Sequence, residues 1–105
     1  MKETSLRHVG IVVSNLERSK AFYEEMGFLL WRWQREKWQD RELEVMKLMA
    51  DDGGVIELIE KPWRPHVAIT VPNIDRWENN VLDTNGIAYY LQDPDGNWLE
   101  LVEGR

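Results

Sequence analysis

The feature that most constrains this chain is an internal repeat. His66-Val-Ala-Ile-Thr-Val-Pro-Asn matches His8-Val-Gly-Ile-Val-Val-Ser-Asn in register, and Trp98-Leu-Glu-Leu-Val-Glu answers Val55-Ile-Glu-Leu-Ile-Glu. A recurring supersecondary unit says more about a fold than any single motif, because each copy must bury its apolar face in the same way. The first copy opens with a strand over Leu6 to Val13. A helix follows, capped by Ser14 or Asn15, with Leu16, Ser19, Phe22, Tyr23 and Met26 at helical spacing and Gly27 at its end. Alternation then predicts strands over Phe28 to Gln34, Glu42 to Met49 and Val55 to Glu60, the last two joined by a turn at Asp51-Asp52-Gly53-Gly54.

Lys61-Pro62-Trp63-Arg64-Pro65 is a proline-punctuated connector to the second copy. There Asn73 is expected to cap a helix striped by Ile74, Trp77 and Val81 and closed by Gly86-Ile87, as Gly27-Phe28 closes the first. Only two clear strands follow, Ile87 to Leu91 and Asn97 to Val102, with Asp93-Pro-Asp-Gly as the turn between them. The chain therefore reads as one domain over residues 1–105, with module one at 5–60, a connector at 61–65 and a shortened module two at 66–103.

Alternation also sorts the side chains by face. His8, Gly10 and Val12 share a face, as do His66, Ala68 and Thr70, Val55, Glu57 and Ile59, and Trp98, Glu100 and Val102. The opposite faces are aliphatic and belong under the helices. A carboxylate among apolar neighbours is expensive unless it is paired, protonated or bound to a metal, and Gly10 and Ala68 leave room beside each histidine for something to bind. Two imidazoles and two carboxylates at matching positions make His8, Glu57, His66 and Glu100 a candidate His2Glu2 set. Such a set suits Zn, Ni, Fe, Mn or Co, with positions left for water or substrate.

Composition removes several other functions. With 19 Asp and Glu against 13 Lys and Arg the net charge is -6, and there is no basic run, which argues against nucleic acid and anionic membranes as partners. The absence of cysteine excludes disulfides and thiolate metal sites, so any metal must be held by nitrogen and oxygen. The N-terminal residues lack an apolar signal core, and no apolar run is long enough to span a bilayer, so a cytoplasmic protein is expected. So small a domain also gains from a subunit partner.

His8-Val-Gly-Ile-Val-Val, with Asn15-Leu-Glu-Arg-Ser and Phe22-Tyr-Glu-Glu-Met-Gly-Phe, resembles the first module of the vicinal oxygen chelate superfamily, the glyoxalase and bleomycin-resistance fold. Asp93-Pro-Asp-Gly-Asn-Trp-Leu-Glu resembles the motif that closes its second module. The resemblance implies an α+β fold of two βαβββ modules, the second shortened, forming a half-open barrel around a divalent metal. It also implies a homodimer. It carries the metal ligands onto His8, Glu57, His66 and Glu100, and the shortened second module departs from its pattern. A lactoylglutathione lyase-like or related metal-dependent enzyme follows as the expected class, although no arginine pattern marks a glutathione site. Such a lyase, isomerase or epimerase would act on a small substrate with vicinal oxygens through an enediolate. Glu100, or its mate Glu57, would be the base, with Glu100 favoured because Trp98 beside it excludes water.

The rival reading is a metal-free drug- or ligand-binding protein of the bleomycin-resistance kind. Its groove would be lined by Trp31, Trp33, Trp98 and Tyr89, with Trp63 and Tyr90 nearby. The same aromatics serve equally as core or as dimer interface. A purely structural dimer gives no reason for two His/Glu pairs.

Overall fold

The structure, a computed structural model, describes residues 4–38, 41–61 and 63–104. Residues 1–3 of the N-terminal segment, residues 39–40 of the polar segment and residue 62 of the connector lie outside that set. The described residues form two compact units, one spanning His8–Pro65 and the other formed by His66 onward together with the residues up to Arg7.

In the first unit β1 (Ser5–Val13) leads into α1 (Leu16–Glu25), and β2 (Leu29–Trp38), β3 (Arg41–Met49) and β4 (Val55–Glu60) follow. Asn15 is the helix cap, its side chain accepting from the Arg18 backbone N–H at 3.0 Å. Gly27, at a φ of 112°, turns the chain out of α1 in a conformation that side chains with a Cβ resist. The strands run in the order β2-β3-β4-β1. β1 lies parallel to β4, with Gly10 opposite Glu57, and β3 lies antiparallel to β4, with Lys47 opposite Glu57. Beneath α1, Val13, Leu16, Met46, Leu48 and Leu58 make the core, supported by Ile11, Tyr23, Phe28 and Ile56. On the other face Leu43, Val45 and Ile59 pack with Trp63.

The second unit repeats this plan with a shorter middle. β5 (His66–Val71) is followed by a 3-10 helix (Ile74–Asn80), then β6 (Asp83–Thr84), β7 (Tyr89–Gln92) and β8 (Trp98–Glu103), in the strand order β5-β8-β7-β6. β5 lies parallel to β8 with Ala68 opposite Glu100, the counterpart of Gly10 opposite Glu57. β7 lies antiparallel to β8 with Tyr90 opposite Glu100, the counterpart of Lys47 opposite Glu57.

The sequence reading needs correction at this helix. It is a 3-10 helix rather than an α-helix, and it ends at Asn80 instead of running to Gly86-Ile87. Ile74 is buried, but Trp77 remains 39% exposed, more than the expected helix-to-sheet packing would leave. With only seven residues the segment cannot repeat α1, and its start is fixed by two side chains instead. Asn73 accepts from the Asp75 N–H at 3.2 Å, and Glu103 on β8 accepts from the Ile74 N–H at 2.9 Å. β6, two residues long and paired with Tyr89 and Tyr90, is the remnant of the strand missing from the sequence reading. The core here is Val71, Ile74, Leu91 and Leu101, with Ile69, Tyr89 and Leu99 packed against it.

The turn before β8 is built by Asp93. Its carboxylate accepts from the backbone N–H groups of Asp95 and Asn97 and from Asn97 Nδ2, each at 2.9 Å, while Gly96 takes a φ of 90°. The Asn97 side chain and backbone, then the N–H groups of Asp95 and Gly96, hold the Asp93 carboxyl below the usual carboxylate range.

Two outcomes follow for stability. Leu58 is fully buried, and Leu58→Ala should lower the unfolding free energy by about 2–5 kcal/mol in a urea titration. A carboxyl whose folded pKa is depressed stabilises fully above its unfolded value of about 3.9, and that stability is lost as pH falls below it toward the folded pKa. The urea midpoint of the native chain should therefore drop between about pH 5 and pH 3 by more than that of Asp93→Asn; parallel pH profiles would refute this role for the turn.

Candidate metal centre

Each unit presents one histidine and one glutamate at matching positions. In the first, β1 carries His8 and β4 carries Glu57; the side chains are 7% and 5% exposed, with His8 Nε2 3.3 Å from Glu57 Oε1. In the second, β5 carries His66 and β8 carries Glu100; these side chains are 1% and 13% exposed, with His66 Nε2 3.5 Å from Glu100 Oε1. The geometry comes from the parallel strand pairs. A residue without a bulky side chain, Gly10 or Ala68, stands opposite each glutamate, and the histidine two positions earlier reaches across to it.

The two separations lie in the ion-pair range, as does Lys20 Nζ to Glu24 Oε1 at 3.3 Å, and they also suit two ligands of one ion. Two donor atoms each about 2.1 Å from a common ion, at a roughly tetrahedral angle, stand about 3.4 Å apart. Both pairs have the spacing of neighbouring ligands, in the donor set of imidazole nitrogen and carboxylate oxygen that Zn, Ni, Co, Fe or Mn accepts. The residues present thus fit a divalent metal.

The second oxygen of each carboxylate meets a different partner in each unit. Lys47 Nζ lies 3.7 Å from Glu57 Oε2, whereas the Tyr90 hydroxyl donates to Glu100 Oε2 at 2.8 Å. The Tyr90 ring also stands edge-on to His66, with centroids 6.4 Å apart. One carboxylate is therefore held by a cation and the other by a neutral phenol. Neither Lys47 nor the pairing of Tyr90 with Glu100 emerged from sequence reasoning. Lys47 could have been found as a cation alternating with Leu43 and Val45, on the face opposite Met46 and Leu48.

The expected aromatic lining is redistributed. Tyr89 packs with Leu91 and Leu101 beneath the 3-10 helix and stands opposite Leu101, so it faces away from Glu100, and Tyr90 takes that place. A bulge between Leu30 and Arg32 shifts β2 by one residue, setting Arg32 opposite Lys47 and Trp33 opposite Met46, on the face turned away from Glu57. Trp33 is 57% exposed; Trp31, at the bulge, is 48% exposed, with the Arg32 guanidinium 4.8 Å from its ring. Trp98 is half-buried, on the Glu100 face of β8 and opposite Gln92 of β7. Trp63 belongs to the cluster with Leu43, Val45 and Ile59.

No protein-family model matches the sequence, and no curated protein matches it either. Solved structures do. The chain is similar to methylmalonyl-CoA epimerase from Mycobacterium tuberculosis at 21% identity and a TM-score of 0.69, over 95% of this chain and 87% of that one. It is similar to a hypothetical protein from Bacillus halodurans at 21% identity and a TM-score of 0.70, over 99% and 96%. A glyoxalase I variant from Zea mays aligns at 16% identity and a TM-score of 0.64, over 94% of this chain and 42% of that one. At such identities the likeness speaks for architecture alone: this α+β chain has a glyoxalase-like fold.

Proposed function

We propose that the two His/Glu pairs, His8 with Glu57 and His66 with Glu100, together hold one divalent metal, and that the protein is a metal-dependent lyase, isomerase or epimerase. Its substrate would be a small molecule with vicinal oxygens and a proton on the carbon beside them. The observation that carries this reading is the doubled ligand spacing, 3.3 Å and 3.5 Å, at equivalent positions of two repeated strand pairs. When bound, the metal supplies positive charge that stabilises the enediolate left when that proton departs.

The side chains divide the remaining work. The Glu100 carboxylate takes the proton and returns it, and the Tyr90 hydroxyl, donating to Oε2, fixes its orientation. Trp98, on the same face, keeps water from the base. Glu57, with Lys47 Nζ 3.7 Å from its Oε2, is the mate of Glu100 in the first pair. The same reading includes a homodimer and a cytoplasmic protein. In favour of the dimer, Leu29, Trp31 and Trp33 on β2 and Phe22 and Met26 on α1 are all well exposed.

A second reading, sequestration of a flat ligand without chemistry, draws on Trp31, exposed and backed by Arg32. It predicts a protein without bound metal whose tryptophan fluorescence is quenched by planar aromatic compounds.

The leading reading is tested by proton exchange. The Zn- or Ni-loaded chain is incubated in D2O with methylmalonyl-CoA and with a panel of 2-hydroxy- and 2-oxo-acyl compounds, and loss of the α-proton is followed by NMR. His8→Ala and His66→Ala should each strip the metal and abolish exchange. Glu100→Gln should keep some metal binding through the other three residues while exchange falls by about 100-fold or more. Undiminished exchange in Glu100→Gln would remove it as the base.

A further inference from the structure

The two halves match in strand register and in the spacing of histidine to glutamate, but the residue facing each glutamate from the antiparallel neighbour differs. Lys47 stands opposite Glu57 and Tyr90 opposite Glu100. Each reaches the carboxylate oxygen that its histidine does not: Lys47 Nζ at 3.7 Å and the Tyr90 hydroxyl at 2.8 Å. We infer that this pair sets metal affinity in opposite directions, Lys47 opposing capture of the ion through Glu57 and Tyr90 supporting it through Glu100. The inference rests on the metal-centre reading above.

The electrostatic argument is local to each half. A divalent ion ligated by Glu57 Oε1 would sit within a few ångströms of the Lys47 ammonium, which lies on the other oxygen of the same carboxylate. The side chain of Lys47 is 16% exposed, so water screens the repulsion poorly. The ammonium also neutralises part of the charge that makes Glu57 a ligand. A phenol does neither. It donates one short hydrogen bond, carries no charge, and holds the Glu100 carboxylate in the orientation that presents Oε1 to His66.

The surroundings keep Lys47 in this role. The bulge in β2 brings Arg32 opposite Lys47, where two cations would repel, but the Arg32 guanidinium lies over the Trp31 ring at 4.8 Å. Val45, two residues before Lys47 on its face of β3, is 2% exposed, and Ile59, two residues beyond Glu57, is 2% exposed. An apolar wall thus lies along that side of the ammonium, directing it toward Glu57. Lys47 and Tyr90 are positioning residues, acting through the two glutamates, and they make the repeated halves chemically unequal.

The test is a competition titration of the 105-residue apo chain with Zn2+ against a chromophoric chelator, run beside Lys47→Met, Lys47→Arg and Tyr90→Phe. Lys47→Met should bind Zn2+ about 10- to 100-fold more tightly than the native chain, and Tyr90→Phe should bind several-fold more weakly. Lys47→Arg, which keeps the charge, should stay close to the native affinity. If Lys47→Met does not fold, as judged by circular dichroism, Lys47→Gln takes its place with the same expected tightening. Zn2+ binding by the native chain that is unchanged or weakened by loss of the Lys47 charge would overturn the inference and leave the metal centre standing. Absence of Zn2+ binding in the native chain and every variant would overturn both.

Discussion

The structure depends on one arrangement made twice: the first strand of each module lying parallel to its last. Parallel pairing fixes which residues share a rung, and a rung shared by a small residue and a glutamate leaves space that the preceding histidine fills. Gly10 with Glu57 and Ala68 with Glu100 are those rungs. Shifting either strand by one residue would turn the histidine or the glutamate into the aliphatic layer under the helix, where an unpaired charge is not tolerated. The buried Leu58 and Leu101, each one residue from a glutamate and pointing the other way, lock that register by burial. The fold thus positions the polar groups by the same packing that stabilises it.

The modules have diverged without losing this pairing. The second has a seven-residue 3-10 helix where the first has a ten-residue α-helix, and a two-residue strand where the first has a ten-residue one. What survives the shortening is the part needed to hold a glutamate. β8 is launched by the Asp93 turn and tied to the helix start by Glu103, and β7 brings Tyr90 alongside Glu100. The differences between the halves at this site are therefore in the cross-strand neighbour, lysine in one half and tyrosine in the other, rather than in the histidines and glutamates themselves.

The repeat, the faces of the four central strands and the pairing of each histidine with its glutamate were legible in the sequence, because alternation and duplication are local patterns. Of the aliphatic face, Val13, Leu58, Val71 and Leu101 are buried in the core and Ile11, Ile56, Ile69 and Leu99 pack against it, whereas Val67 is half-buried and Val9 is 43% exposed. What was not legible depends on register between strands. The bulge at Leu30 and Arg32 inserts one residue, so Trp33 lies opposite Met46 rather than beside Lys47, and no residue type on β2 announces it. Tyr89 and Tyr90 are adjacent and equally aromatic, and only the pairing with β8 decides which of them meets Glu100. The helix after Asn73 has an apolar spacing that suits an α-helix, but the chain leaves it early to form β6, a choice made by tertiary pairing over local propensity.

The central claim, that both His/Glu pairs ligate a single ion, is tested most directly by X-ray absorption on the chain loaded with one equivalent of Zn2+. The account predicts a first shell of nitrogen and oxygen only, with outer-shell scattering from two imidazoles per zinc at one zinc per chain. A single imidazole per zinc, or two zinc ions bound per chain, would contradict it.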